Sequence, residues 1–529
     1  MEKHRFFSIL VVIGLVVALA LSGSLIVSAQ EPTEEPAPPM EEPAPPTEEP
    51  EPTEEPVPTE EPTPEPTVEP TATPEPTVVP AEEPIEAQQA ASFTTEVYIQ
   101  NASASQNAIT IEWYNTDGTT YTGGPTADTL NGYGCGTYEY PGTGPWSGSA
   151  VVSSGELVAA AVRVTGDTSP AIGSGYVGTD AGSTDPIYLP SVHNSTWETL
   201  IAVQNVGSIA TDARVTFSGL PATAVVVNAN IQPNASWYID CTTIGLPSEF
   251  AGTAIVESVG GQPLYAVVKE DVPSTNTTVS YEGIPQSAAA TRLYFPVFNR
   301  NESSGNATGW NANLQIMNTA ATQATARITW LDPDGTVAQT TDFAIPGNEG
   351  IYVAGLLYPT SRNAWSGSAV VESVGGQGLV GLNAFVYAYY GVRGHYGWFS
   401  GFSSGTQYAY GPMIKKNYTT ELTGECVNIL VQNLDATNTA NVTLTFYDSD
   451  GTQRPDPINI PALAPESTYY QAIQLVSGIT ASSWEGCVRI TADRDIAVVG
   501  LGQGLGGKHI MSGWPRDTAS IYNFVNLTQ

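Results

Sequence analysis

One segment of this chain recurs four times, and its spacing constrains the fold more than any other feature. Each copy has an aromatic residue, a glycine two positions later and then a run of small and β-branched residues; the copies begin at Trp146, Phe250, Trp365 and Trp484. Aligned on their glycines, the copies stand 104, 115 and 119 residues apart. This spacing fits a repeated domain and is too long for a solenoid turn. After the run of small and β-branched residues comes a polar or Gly-rich turn, and then a second apolar run. This order predicts a β-hairpin in each copy.

Two further markers accompany each copy in the same order. A strand-like segment ends in asparagine, and 12 or 13 residues later an aromatic residue stands in an alternating run; the pairs are Asn101 and Trp113, Asn205 and Phe217, Asn318 and Trp330, and Asn433 and Phe446. Alternation such as Ile109-Thr-Ile-Glu-Trp113 is typical of a strand with one buried face. We therefore expect these aromatic residues in the core of an all-β chain.

A further recurring strand sets the predicted domain boundaries. It follows each copy, from Ile187-Tyr-Leu-Pro190 after the first to Ile521-Tyr-Asn-Phe524 after the last, and no such strand precedes the first copy. We therefore assign it to the end of each unit. The predicted organisation is a signal segment at 1–29, a stalk at 30–92 and β-sandwich repeats at 93–194, 195–300, 301–416 and 417–529.

The N-terminal segment is typical of a secretory signal. Lys3 and Arg5 precede an uncharged apolar run, and the small residues Val27-Ser28-Ala29 before Gln30 suit cleavage. The run is also long enough to span a bilayer, since about 20 apolar residues suffice. Cleavage before Gln30 and an uncleaved membrane anchor are the two alternatives. In both cases we expect the rest of the chain outside the cytoplasm, in the extracellular space or on the cell surface.

Charge and proline distinguish the stalk from the repeats. Between Glu31 and Glu86 the chain varies Glu, Pro and Thr, with 18 acidic and no basic residues. So few apolar groups and so much like charge predict a disordered, extended spacer; a docked proline motif or a glycosylated stalk is the alternative. The whole chain has a net charge of −36. An acidic surface repels phosphate backbones, which argues against nucleic acid and anionic membranes as partners.

The repeats resemble a known architecture. Seven or eight short strands in each unit, with turn signals every 8–12 residues, are typical of an immunoglobulin-like β-sandwich of about 100 residues. The combination of Tyr-Leu-Pro, Val-Gln-Asn, an Asp-Gly turn and aromatic-x-Gly-Ser-Ala-Val-Val resembles the tandem β-sandwich modules of secreted bacterial surface proteins, which often follow acidic Glu-Pro-Thr stalks. The resemblance implies surface display, adhesion or spacing, and it transfers no functional residue.

Four cysteines in an exported chain permit disulfides. Cys426 opens the Val-Gln-Asn strand of the last unit, and Cys487 opens its glycine-led strand. If the two strands face each other across the sandwich, as the cysteine-bearing strands of an immunoglobulin domain do, one bridge links them; a free pair is the alternative. Cys135 and Cys241 occupy near-equivalent places in the first two units, so we expect two separate, partly buried thiols.

Motifs that suggest a metal or catalysis have structural explanations. Asn115-Thr-Asp-Gly118 and the turns that begin at Asp332 and Asp448 start like calcium loops but lack the closing glutamate, which favours a hairpin turn over calcium. Gly401-Phe-Ser403-Ser-Gly405 has the spacing of a nucleophile elbow, but a strand and not a helix is expected after it. The three histidines beyond the signal lie in separate units. We expect no enzyme activity, no cofactor and no metal.

The third unit departs from the others between Phe385 and Phe402, where aromatic residues and glycines are dense. One interpretation is that these rings pack on a neighbouring unit, since large rings are mostly buried. The other is an exposed platform of Tyr390, Tyr396 and Trp398 on a mobile loop, with Arg393 and His395 at its tip. Such a platform suits a surface glycan or a cell-envelope component.

The favoured hypothesis is a secreted or surface-displayed structural or spacer protein, whose repeats follow one another as an extended rod. The alternative is an adhesin, or a carbohydrate- or protein-binding module, that uses the aromatic segment of the third unit. The two differ in whether that segment is exposed.

Overall fold

The computed structural model describes the backbone of residues 7–13 and most of residues 93–527; the gaps lie at 167–172, 180, 221–222, 273–276, 301, 304–308, 361, 363, 390–391, 418–424, 482 and 505–518. These residues belong to one structural unit, Met1–Ser22 with Glu86–Gln529. In the described residues the fold is all-β, and the helices are two 3-10 turns, Gln286–Ala288 and Ile473–Leu475. No helix among them is long and apolar enough to cross a membrane.

The strands fall into four sets, which we call modules 1 to 4. Module 1 contains β1 (Phe7–Ile13), β2 (Phe93–Asn101), β3 (Asn107–Asn115), β4 (Thr126–Leu130), β5 (Cys135–Tyr138), β6 (Gly148–Ser154), β7 (Val158–Gly166) and β8 (Gly173–Val177). Module 2 contains β9 (Ile187–Asn194), β10 (Glu198–Asn205), β11 (Thr211–Leu220), β12 (Thr223–Ile231), β13 (Ser236–Asp240), β14 (Phe250–Ser258), β15 (Leu264–Val272), β16 (Thr277–Glu282) and β17 (Ile284–Pro285).

The other two modules repeat this order. Module 3 contains β18 (Arg292–Arg300), β19 (Glu302–Ser303), β20 (Gly309–Asn318), β21 (Ala324–Leu331), β22 (Val337–Ile345), β23 (Gly350–Ala354), β24 (Trp365–Ser373), β25 (Leu379–Tyr389) and β26 (Val392–Ser400). Module 4 contains β27 (Thr406–Asn417), β28 (Glu425–Asn433), β29 (Ala440–Asp448), β30 (Ile458–Leu463), β31 (Thr468–Gln471), β32 (Ser483–Gly504), β33 (Ala519–Asn523) and β34 (Val525–Asn526).

Each module contains two antiparallel sets of strands, which we call sheet A and sheet B. In modules 2 and 4 the two are joined at one edge, where β9 pairs with β10 and β27 with β28. Sheet A has the strand orders β1-β6-β3-β4, β9-β14-β11-β12, β18-β24-β21-β22 and β27-β32-β29-β30. In sheet B the corresponding orders are β5-β2-β7-β8, β13-β10-β15-β16, β23-β20-β25-β26 and β31-β28-β32-β33. The long strand β32 takes part in both sheets of module 4, where the other modules use two separate strands.

The recurring glycine-led segment is not a hairpin, so that prediction is wrong. In module 1 its first strand, β6, pairs with β3 in sheet A, while its second strand, β7, pairs with β2 in sheet B. The turn between them therefore carries the chain from one sheet to the other. Both strands are rich in buried small and β-branched residues, and this pattern does not distinguish two strands of one sheet from two strands of facing sheets.

The predicted domain boundaries also need correction. The strand β9, assigned to the end of the first unit, pairs with β14 and so opens module 2. The strand β33 does not correspond to β9, although the sequence pattern equates them. It pairs with β32 as β8 pairs with β7, so it is a closing strand. In module 1 the opening place is taken by β1, in register from Phe7 opposite Ser154 to Ile13 opposite Gly148.

The predicted core is confirmed. Trp113, Phe217, Trp330 and Phe446 are buried, each on the strand that follows the one ending in the recurring asparagine. The four recurring asparagines are fully buried as well. Asn101 shows their role: its Nδ2 donates to the carbonyl of Ser105 at 2.6 Å and its Oδ1 accepts from the backbone N–H of Ser103 at 3.0 Å. A buried amide satisfied in this way fixes the local turn.

Hydrophobic cores extend across the boundaries between modules, and the last module packs on the first. The core of module 1 includes Ala202 and Val267, that of module 2 includes Met317 and Leu382, that of module 3 includes Leu430 and Val499, and that of module 4 includes Tyr98 and Ala161. The four modules therefore contact one another in a closed cycle, 1–2–3–4–1. This cycle replaces the open series expected from the sequence.

The Asp-Gly turns are confirmed as hairpin turns, and they also touch neighbouring modules. Gly118, Gly335 and Gly451 have φ of 85°, 86° and 83°. A Cβ on Gly118 would lie 2.3 Å from the carbonyl oxygen of Pro233 in module 2, so glycine is required twice over. The carboxylate of Asp117 accepts from the backbone N–H of Thr119 at 2.9 Å, which is a turn contact.

Candidate functional site

The closing strands of the four modules meet at one junction. β8, β16, β26 and β33 lie against one another in that cyclic order. Each brings a residue of a different type to its end: Val177, Glu282, Ser400 and Asn523. The four modules therefore differ in residue type at this junction.

Hydrogen bonds connect these four residues. The hydroxyl of Ser400 donates to Oε1 of Glu282 at 3.0 Å, and the backbone N–H of Val177 also donates to this carboxylate. The amide Nδ2 of Asn523 donates to the carbonyl of Ser400 at 2.9 Å. One polar chain therefore joins all four modules. Burial raises the pKa of Glu282, and the hydrogen bonds from its own backbone, Ser400 and Val177 only partly oppose this effect.

A cavity of about 330 Å³ adjoins the junction. It is lined by segments of modules 1, 3 and 4, with the polar residues Thr179, Ser403, Ser404, Asn523 and Asn526 among them. None of the described side chains that line it is ionisable, and these residues offer hydrogen bonds and apolar contact. A neutral polar molecule would suit such a wall.

The Gly401–Gly405 segment contributes to this wall but does not form a nucleophile elbow. The strand β27 begins at Thr406, so a strand follows the motif, as expected, where an elbow requires a helix. Ser403 is therefore a lining hydroxyl at the cavity.

A second buried carboxylate, Glu270, lies inside module 2. It accepts from Nδ1 of His193 at 2.9 Å, from the hydroxyl of Thr199 at 3.0 Å and from that of Ser191 at 3.4 Å. Burial alone would lower the pKa of His193, but the charge and hydrogen bond of Glu270 raise it overall. Ser191 donates to the carboxylate and not to the imidazole, so this cluster lacks the nucleophile–base contact of a hydrolase.

The aromatic segment of the third unit is a pair of strands and not a loop. β25 and β26 pair with each other, for example Tyr387 opposite His395 and Ala384 opposite Trp398. Trp398 is 5% exposed and stacks on Tyr281 of module 2 with ring centroids 5.4 Å apart. The exposed platform is therefore wrong for Trp398, because a large ring on a strand next to another module is buried there.

Tyr390 lies outside the described residues, as do the side chains of Arg393, His395 and Tyr396.

The cysteines are arranged differently from the prediction. None of the four forms a disulfide, and all four are buried. Cys426 belongs to the core of module 4, whereas Cys487 lies in a separate cluster with Cys135. Alternation explains the difference: Val488 and Ile490 face the core of module 4, so Cys487, one position earlier, faces away from it and towards module 1. The structure therefore contradicts the predicted Cys426–Cys487 bridge, because the two side chains lie in different clusters.

Comparisons with known proteins give no family. No family model and no curated protein matches the chain. Among solved structures, the crystal structure of a tetra-tandem repeat in the extending region of a large adhesion protein is similar at 12% identity and a TM-score of 0.11; the alignment covers 84% of this chain and 98% of that one. The crystal structure of Thermotoga maritima 1070 is similar at 18% identity and a TM-score of 0.18, over 20% of this chain and 96% of that one.

Proposed function

We propose that this chain is an exported, non-catalytic display protein: four immunoglobulin-like β-sandwich modules joined in a closed cycle and carried on an acidic, proline-rich stalk. The observation that supports it best is the packing of module 4 on module 1 through Tyr98 and Ala161. An open series of modules lengthens with each repeat, whereas a closed cycle forms a single head. In this proposal the stalk is the spacer, and the four modules form the head that is displayed at the surface.

The use of the recurring residues supports a structural role. The amide of Gln204 donates to the hydroxyl of Ser149 at 3.1 Å, and that of Gln432 to the hydroxyl of Ser368 at 3.1 Å. Both bonds join neighbouring modules. The carboxylates of the half-buried Glu282 and the fully buried Glu270 likewise accept hydrogen bonds that hold strands together. Groups engaged in this way serve cohesion, which is what a displayed head requires.

The second candidate is an adhesin whose displayed head binds a glycan of the cell envelope. It is favoured by the cavity at the junction, whose lining includes hydroxyl and amide residues that match the hydroxyl groups of a neutral sugar. In this form of the proposal the cavity replaces the aromatic segment as the binding site.

The full chain exported by a bacterial host provides the test. Intact cells are treated with a protease that cuts exposed, unfolded chain, and we expect cleavage in the Glu-Pro-Thr segment to release one resistant fragment that contains all four modules. Two results would contradict the proposal: cleavage in lysed cells but not in intact cells, or release of fragments that contain only one or two modules. The released head is then applied to a glycan array, where binding would favour the adhesin over a purely structural head.

A further inference from the structure

The interface between modules 4 and 1 differs from the other three in how the chain runs. Modules 1 and 2, 2 and 3, and 3 and 4 are consecutive in sequence, so a backbone connection joins each pair. Modules 4 and 1 stand at opposite ends of the described repeats and meet only through non-covalent contacts. If one interface of the cycle opens first, it is this one, because no connecting segment keeps its two sides close.

Corresponding residues meet at each interface, which allows the four to be compared. The backbone N–H of Ser236 donates to the carbonyl of Thr116 at 2.9 Å, that of Thr468 to Pro333 at 3.0 Å and that of Cys135 to Ser449 at 3.0 Å. Cys135 therefore corresponds to Ser236 and Thr468, and to Gly350 in module 3. Across the interface, Cys487 corresponds to Ser149, Thr253 and Ser368, each of which stands one position after the recurring glycine.

At the interface between modules 2 and 3 these corresponding positions lie close together. A Cβ on Gly350 would lie 2.8 Å from Cγ2 of Thr253, at the interface between modules 2 and 3. The other pairs are Ser149 with Ser236 and Ser368 with Thr468, all small or hydroxyl residues. Cysteine occupies both positions only at the interface that the backbone does not close.

The two thiols are in contact in the structure. Cys135 and Cys487 belong to one small buried cluster together with Tyr447, and the partly buried Tyr133 packs against it. Cys487 Sγ also donates to the carbonyl of Tyr133 at 3.2 Å. Cys135 is 7% exposed and Cys487 is fully buried.

Cysteine at position 487 leaves a neighbouring amide without its usual partner. Gln204 and Gln432 donate to the serines that correspond to Cys487, but both polar atoms of the buried Gln100 in module 1 have no hydrogen-bond partner among the described residues. A buried amide without a partner destabilises the fold. A hydroxyl at position 487 would restore the bond, so a pair of thiols needs a compensating role.

We propose that Cys135 and Cys487 form a disulfide that covalently joins the first module to the last and closes the cycle. The exported compartment supplies the oxidant, a disulfide-bearing oxidoreductase. One thiolate attacks the donor disulfide and releases one donor thiol, and the second thiolate then displaces the other. Two cysteine thiols and one donor disulfide thus give the protein disulfide and two donor thiols. This inference goes beyond the display function, and its test does not depend on display.

The order of events follows from burial. Burial is the main reason that the pKa of Cys487 is raised well above its usual value, and the contact with Cys135 adds to the effect. Because the thiolate is the reactive form, the closed interface disfavours oxidation. The bond therefore forms while module 4 docks on module 1, and afterwards it is shielded from reduction.

The test uses the full chain purified from an oxidising compartment. Thiols are titrated in denaturant, and we expect two for each chain, from Cys241 and Cys426. Peptide mapping without reductant should give one crosslinked species that joins the peptides of Cys135 and Cys487 and disappears on reduction. The variant Cys487→Ser should give three thiols and no crosslink, whereas the control variant Cys426→Ser should lose one thiol and keep the crosslink.

Two results would overturn the proposal: four titratable thiols in the exported wild type, or a crosslink between Cys487 and Cys426. Cys487→Ser also places a hydroxyl near Gln100, as in modules 1 and 3, so loss of folding is not expected. If that variant fails to fold, a single protease cut between modules 2 and 3 of the wild type decides. The two halves should stay together on a denaturing gel without reductant and separate when reductant is added.

Discussion

At the scale of single residues, some corresponding positions keep the same residue type in all four modules and others do not. The recurring asparagines and aromatic residues do the same work in every module. The residues that end the four closing strands differ, and they are joined through the hydroxyl of Ser400 on Glu282 and the amide of Asn523 on Ser400. Individual function in a repeated chain is therefore best sought where corresponding residues change type.

Glu282 gives a prediction at this scale. Its folded pKa is raised, so it contributes stability when protonated, below the pKa of the unfolded chain, and loses this contribution as pH rises through the folded pKa. Glu282→Gln keeps an oxygen that accepts from Ser400 and removes the buried charge. We expect the variant to be more stable than the wild type by about 1 kcal/mol at pH 8 and equal to it near pH 4.

Thermal unfolding of both proteins across this pH range measures the difference. Glu249→Gln, on an exposed residue, is the matched control and should change stability little at either pH. A variant of Glu282 that is less stable at pH 8 than at pH 4, relative to the wild type, would show that the charged carboxylate stabilises the junction.

At the scale of strands, the opening strand of sheet A comes from a different part of the chain in module 1 than in the other modules. Modules 2, 3 and 4 take it from the segment before their own repeat, as β9, β18 and β27. Module 1 takes it from β1, inside the segment that the sequence predicts to be a cleaved signal. If cleavage occurs before Gln30, the edge of β6 loses its partner strand, and an unpaired edge accepts strands from other molecules.

A chain that starts at Gln30 should therefore self-associate or lose stability in module 1, whereas the chain that retains β1 should remain monomeric. Sedimentation velocity of the two proteins measures association, and N-terminal sequencing of the exported protein shows which of them exists. Equal sedimentation and equal stability of the two would show that β1 contributes nothing to module 1.

At the scale of the whole assembly, the closed cycle makes each module depend on two neighbours. Tyr98 and Ala161 of module 1 are buried with the core of module 4, and Leu430 and Val499 of module 4 with that of module 3. Stability in an open array depends on nearest neighbours along the chain. In this chain, the first and last modules are also neighbours.

Removal of module 4, by ending the chain at residue 405, should therefore weaken module 1 as well as module 3. Hydrogen exchange should become faster in β2 and β7 of module 1 and in β21 and β24 of module 3, while β11 of module 2 serves as the internal control. Unchanged exchange in module 1 would mean that its contact with module 4 does not stabilise it, as in an open series.

The sequence by itself determined the class of fold, the buried faces and the turns. Alternation placed Trp113 and its counterparts in the core, and Asp-Gly pairs marked turns that need positive φ at glycine. These features depend on neighbours a few residues away, so the local pattern contains them. The cavity at the junction was not predicted, although the change of residue type at corresponding positions is a signal that could have indicated it.

The tertiary structure alone decided which surfaces meet. A period of two says that a strand has a buried face, but not whether its own module or another one covers it. For this reason the local pattern predicts a hairpin from β6 and β7, leaves open whether Trp398 is exposed or packs on a neighbouring unit, and pairs Cys426 with Cys487. The hydroxyl residues that correspond to Cys487, namely Ser149, Thr253 and Ser368, are a signal that could have indicated an outward-facing position. Only the packing of module 4 on module 1 shows that Cys135 lies next to Cys487 across the interface.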